Sequence, residues 1–180
     1  MVESSCSRGG VVGVADLVVA KESQGQLVTY ALGSCIGLSA WDPVGKVGGL
    51  LHYMLPQPAE TADPKALKHF MYATTGIPLL FRKLVELGAQ QSRLVLCAAG
   101  GAEILEGASG MAIGKRNRTI LRKVLWKMGL ALAAEDAGGN IARTMTLDLA
   151  KGEVRIRTRN QDAVLWAPGM KVTVSKGVEP

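Results

Sequence analysis

The stretch from Thr29 to Pro56, TYALGSCIGLSAWDPVGKVGGLLHYMLP, decides how this chain folds. Two apolar runs, Cys35–Trp41 and Lys46–Met54, flank Asp42-Pro43-Val44-Gly45. Aspartate first, proline second and glycine fourth suit a type I turn, so the two runs read as a hairpin. A lone cysteine, Cys35, opens the first run, and a lone histidine, His52, stands near the end of the second. In the simplest register Asp42 faces Gly45 and Cys35 faces His52. Directly opposed side chains have Cβ atoms about 4.5–5.5 Å apart, near enough for a thiol and an imidazole to interact. A glycine at the fourth turn position also invites a bulge, which slides the register by one and sets Tyr53 against Cys35. A second bulge at Gly48-Gly49 would restore the pairing. The spacing proposes a Cys–His pair and leaves the register open.

The chemistry of such a pair is specific. A free thiol, with a pKa of about 8.5, is mostly protonated near neutrality and needs a base beside it to become a nucleophile. Gly33-Ser34 ahead of the sulfur lets the backbone turn sharply, and amides freed by that turn can hold the oxyanion of an acyl-transfer intermediate. Thr29 is a nearby polar group able to orient the base. Read without that chemistry, Cys35 is a small core residue and His52 a buried or surface histidine. Cys97 lies in the most apolar run and reads as structural, whereas Cys6 and His69 read as incidental.

Around the hairpin, Val11–Lys21 and Gln26–Leu32 have strand composition; in the second, Leu27, Thr29 and Ala31 share one face. A proline-rich connector ends at Asp63-Pro64, and a helical period runs from Pro64 to Leu87, with Pro78 expected to kink or restart it. Arg93–Ala99 is a buried strand. Lys115–Met128 is an amphipathic helix with Leu121, Leu125 and Met128 inward. A strand over Leu130–Asp136 follows, and then a hairpin of Arg143–Leu149 and Glu153–Thr158. The sum is an α/β (α+β) domain of mostly antiparallel sheet with two main helices. One domain spans residues 1–180, with 1–10 and 160–180 as flexible or peripheral tails.

The 180 residues are 48% hydrophobic, enough for one sizeable core. No run reaches the roughly 20 apolar residues of a membrane span, and the first ten residues lack the pattern of a secretory signal. The expectation is a cytoplasmic protein without membrane insertion. Three scattered cysteines and two histidines argue against a disulfide framework or a metal centre. Much of the net charge of +6 lies in Gly114–Lys127 and Glu153–Asn160. It reads either as solvated surface or as attraction to an acidic partner. No nucleic-acid motif accompanies it, and nucleic acid is not expected as a partner.

The block Leu-Gly-Ser-Cys (32–35), Asp-Pro (42–43), Gly-Gly (48–49) and His-Tyr-Met-Leu-Pro (52–56) resembles the signature of the CheD family, the chemoreceptor glutamine deamidases of bacterial chemotaxis. IPLLFRKLVELGA, GGAEIL, IGKRN and AEDAGGNIARTMTLDLAKGEV extend the resemblance over about residues 11 to 158. The resemblance implies a fold similar to Cys–His deamidating toxins, with layered sheets and helices outside. It implies a hydrolase that turns chemoreceptor glutamine side chains into glutamate. Cys35 would be the nucleophile, His52 the general base and Thr29 the third catalytic residue, with Gly33 and Ser34 supporting the oxyanion. It implies no metal or organic cofactor, with chemoreceptor cytoplasmic helices and a CheC-type phosphatase as partners. Ala99, where the family usually has phenylalanine, and Tyr72-Ala73-Thr74, where an acidic residue usually follows the tyrosine, depart from the pattern. Both bear on docking and the CheC-type interface rather than on the chemistry. The alternative is a non-catalytic adaptor of the same fold that binds receptors or CheC. A thiol redox sensor is weaker, because no resolving cysteine is near in sequence.

Overall fold

Alternating apolar side chains build two five-stranded sheets in the computed structural model, which describes residues 10–103 and 112–171. The strands in chain order are β1 (Gly10–Val11), β2 (Asp16–Lys21), β3 (Gln26–Leu32), β4 (Ile36–Asp42), β5 (Val47–Tyr53), β6 (Val95–Gly100), β7 (Ala134–Ala137), β8 (Arg143–Asp148), β9 (Glu153–Arg157) and β10 (Asp162–Trp166). One sheet has the order β1-β3-β8-β9-β10 and the other β2-β5-β4-β6-β7. Pairing is antiparallel except for β1 with β3 and β6 with β7. Two helices, α1 (Ala73–Glu86) and α2 (Ile113–Lys127), complete the fold.

The two faces of the second sheet carry different cores. Ile36, Leu38, Leu51 and Tyr53 pack against Ile77, Leu80 and Leu84 of α1 and Leu121 and Leu125 of α2. The opposite face, with Trp41 and Leu50, packs against Leu27, Leu32, Met145 and Leu147 of the first sheet. The result is helices, sheet and sheet in three layers, the α+β arrangement expected from the pattern of elements. Each large aliphatic side chain so buried contributes about 1.5–3 kcal/mol relative to exposure.

Several expectations are corrected. The Val11–Lys21 run is broken by a turn in which Ala15 has a φ of +55°, and its halves join different sheets. The hairpin turn is longer than a type I turn with Asp42 facing Gly45: Asp42 pairs with Val47. The Asp42 carboxylate accepts the Val44 and Gly45 amides, and Lys46, at a φ of +52°, closes the loop by donating to the Asp42 carbonyl. Gly48 and Gly49 lie in unbroken ladder and make no bulge. A Cβ at Gly48 would come within 2.7 Å of Leu149, and one at Gly49 within 2.7 Å of Leu80, so these glycines permit close packing on both faces. In β3 a bulge at Tyr30-Ala31 turns Ala31 outward, with φ +56°, and Leu32 inward, so Thr29 shares its buried face with Leu27 and Leu32.

The helix expected from Pro64 begins at Ala73, after two short 3-10 turns. It runs on past Pro78, which faces solvent, where water can satisfy the carbonyl that proline's missing N–H leaves free. Residues 162–166, expected within a peripheral tail, form β10. There Trp166 is buried 6.5 Å from the Trp41 ring. Cys6 and the outer parts of both tails lie outside the described residues.

Candidate active site

His52 is placed by β5 on the inter-sheet face, fully buried. Across the sandwich, Thr29 of β3 brings its hydroxyl 2.8 Å from the His52 Nδ1. The same hydroxyl lies 2.8 Å from the Val12 carbonyl, which can only accept. The single hydroxyl proton therefore goes to Val12, and the Thr29 oxygen accepts from Nδ1–H. That fixes the tautomer: Nδ1 carries the proton and Nε2 keeps its lone pair. Nε2 is buried and has no hydrogen-bond partner among the described residues. Asp16, opposite His52 on β2, has its carboxylate engaged by the amides of Gly13 and Leu17.

Cys35 precedes β4. The register sets Gly37, not Cys35, opposite His52, which leaves Cys35 two residues along as the diagonal neighbour. Diagonal residues are about 7–8 Å apart, less at Cβ. Cys35 is half-buried against the inter-sheet core, the face on which His52 lies. A side chain at position 37 would crowd the site: its Cβ would meet Leu32 at 2.9 Å and Met145 at 3.2 Å.

The loop carrying the sulfur is pinned through three successive carbonyls. Gly33 accepts from the Ala102 amide at 2.8 Å and Cys35 from the Gly101 amide at 2.8 Å. Ser34 accepts from the Asn117 side-chain amide at 2.9 Å. Gly100, with a φ of +108°, passes so close that a Cβ there would overlap the Cys35 carbonyl oxygen. The Gly33 amide donates to the Ala31 carbonyl at 2.8 Å, whereas the amides of Ser34 and Cys35 donate to no backbone carbonyl among the described residues.

Burial sets the resting protonation. It pushes the Cys35 thiol above its ordinary value, against its own amide, and the His52 imidazole below its ordinary value. At neutral pH Cys35 is a thiol and His52 a neutral imidazole, so any attack by the sulfur would need a base to take its proton as it attacks. Cys97 sits in the core of β6, its thiol pushed up to about 12 by burial, which makes it inert. Among the described residues no three His, Cys, Asp or Glu side chains converge as a metal site would need.

The sequence places Gly100–Ala102 and Asn117 within GGAEIL and IGKRN, but assigns neither a role in holding the Cys35 loop. Asn117 is wholly buried on α2, one turn before Leu121 and two before Leu125. A polar residue continuing that apolar stripe was a readable signal. Ala99, expected to bear on docking, is wholly buried opposite Gly37.

A sequence profile described as CheD chemotactic sensory transduction matches residues 54–158. A protein of Solibacter usitatus described as a probable chemoreceptor glutamine deamidase CheD is 44% identical over 157 residues, covering 86% of this chain and 92% of its own. Similarly described proteins of Syntrophus aciditrophicus and Pyrococcus horikoshii are 42% and 38% identical, covering 82% and 86% of this chain and 92% and 94% of their own.

Proposed function

Because that profile and those relatives span most of it, the chain belongs to the CheD family, and from this we propose that it is a protein-glutamine deamidase acting on chemoreceptors. The observation that supports it most is the Thr29–His52 hydrogen bond, which leaves a buried, lone-pair-bearing Nε2 on the strand paired with the one Cys35 leads into.

In this reading Cys35 turns toward Nε2, loses its proton to it and attacks the glutamine carboxamide carbon. The carbonyl oxygen becomes an oxyanion held by the Ser34 and Cys35 amides, since the Gly33 amide is spent on the Ala31 carbonyl. His52 returns its proton to the nitrogen, ammonia leaves, and a thioester remains. Nε2 then takes a proton from water as the oxygen attacks the thioester. Collapse expels the Cys35 sulfur, which recovers the proton, and leaves glutamate. Thr29 keeps the imidazole oriented throughout by holding Nδ1–H. Lys115, Arg116 and Lys123 face a groove with Pro56 and Gln57, two and three residues past Met54, and favour an acidic flank on the substrate. The setting is the cytoplasm, with a CheC-type phosphatase as a second partner.

Peptide mapping of a chemoreceptor cytoplasmic fragment incubated with the protein tests this. Glutamine-to-glutamate conversion by the wild type and not by Cys35→Ala supports the enzyme. Receptor binding with no conversion by either form replaces it with the adaptor reading.

A further inference from the structure

We infer that Asn117 is a positioning residue, whose side-chain amide clamps the nucleophile loop to the end of the strand that carries the base. This rests on the reading of Cys35 and His52 as the reacting pair. Nδ2 donates to the Ser34 carbonyl at 2.9 Å and to the Met54 carbonyl at 2.7 Å. Ser34 directly precedes Cys35, and Met54 is the second residue after His52. Both partners are carbonyls and can only accept, so the amide must present its nitrogen to them and not its oxygen. One NH2 group thus spends both protons joining the two segments whose relative position sets the thiol–imidazole approach.

The rest of the residue makes the clamp separable from the fold. The Asn117 backbone carbonyl accepts from the buried Tyr53 hydroxyl at 3.0 Å, which ties α2 to β5 whatever side chain stands at 117. Oδ1 is buried and has no partner among the described residues, although an unpaired buried acceptor is unfavourable. A purely structural site would be better filled by a leucine like Leu121 and Leu125 on the same stripe. What the asparagine supplies and a leucine could not is the pair of donors to Ser34 and Met54. The Gly33 and Cys35 carbonyls are held separately by Ala102 and Gly101. Loss of the clamp therefore loosens the Ser34 turn against Met54, while the β4–β5 ladder from Ile36–Tyr53 onward and the bonds to Gly101 and Ala102 persist.

The test compares Asn117→Ala, Asn117→Leu and, as a control, Ser39→Ala. Ser39 sits on the same strand as Gly37, and its hydroxyl gives a buried hydrogen bond to the Cys97 carbonyl, away from the site. Circular dichroism melts rank the losses of stability. The readout is the second-order rate of Cys35 carboxamidomethylation by iodoacetamide between pH 6 and 9, followed by peptide mapping well below each melting temperature. It needs no receptor. The Asn117 variants should alkylate with the pH profile of an isolated thiol, and on a receptor fragment should lose about tenfold or more in kcat at unchanged KM. Ser39→Ala should keep the wild-type profile at a comparable melting temperature. Asn117 variants with wild-type profile and kcat, or a Ser39→Ala profile shifted equally, would overturn the clamp. A wild-type Cys35 whose profile His52→Gln leaves unchanged would overturn the Cys35–His52 reading itself.

Discussion

Replacing Thr29 with valine keeps the shape of the side chain and removes one oxygen. Thr29 makes two bonds, a gift to the Val12 carbonyl and an acceptance from His52 Nδ1–H, both 2.8 Å long and both buried. Valine strands both partners away from water, and each buried group left unpaired costs about 1–3 kcal/mol. The melting temperature should fall accordingly. The kinetic effect comes from the histidine alone. Without an acceptor at Nδ1 the ring loses its preference for the tautomer with a free Nε2. Losing about 1–3 kcal/mol of that orientation lowers kcat by about fivefold to 150-fold. The assay is kcat on a chemoreceptor fragment, alongside 15N spectra of the imidazole. Those spectra should show Nδ1–H in the wild type and a mixture in Thr29→Val. Thr29→Ser keeps the hydroxyl and should recover most of both. A Thr29→Val enzyme with wild-type kcat, or a serine variant no better than valine, would refute the reasoning.

Burial holds the folded His52 below its ordinary value, so the unfolded chain binds the extra proton first as pH falls. Stability should be full above about pH 6.5, decline toward the lowered folded value and flatten below it; melts of wild type against His52→Gln across that window measure the difference. Since neutral imidazole is the working form, kcat should also persist somewhat below pH 6.5. Burial opposes the charge on Asp42, but hydrogen bonds from Arg93 and from the Gly45, Gln90 and Val44 amides outweigh it and hold the carboxyl well below the usual carboxylate range. Asp42→Asn, which removes a carboxylate buried against Arg93, should destabilise by about 3 kcal/mol in denaturant melts. It should also remove a stabilisation that the wild type keeps above about pH 4 and loses in stronger acid. Lys115→Glu with Lys123→Glu should raise KM for the receptor fragment and leave kcat unchanged. Added salt should raise the wild-type KM and not that of the double variant.

What was legible in the sequence was local. The hairpin, the helix from Lys115 and the Arg143–Thr158 hairpin follow from periodicity and turn residues within a few positions. Cys35 and His52 could be proposed as neighbours because a short turn separates the two runs that carry them. The register could not, because it depends on the Asp42 carboxylate bonding Val44 and Gly45 and on Lys46 adopting a left-handed conformation that glycine usually supplies. The split of Val11–Lys21 was hidden likewise, since its halves have similar composition and their partners are distant in sequence. β10 owes its existence to the edge of β9 and to Trp166 meeting Trp41. Asn117 stood on a visible apolar stripe, but its carbonyl partners lie 83 and 63 residues away.

The most direct test of the catalytic account is an acid-quenched reaction with a receptor peptide, read by intact-mass and peptide-mapping spectrometry. The account predicts a transient adduct equal to the peptide less ammonia, carried on Cys35 and absent from Cys35→Ala. Glutamate formation by Cys35→Ala at the wild-type rate, or an adduct on another residue, would contradict it.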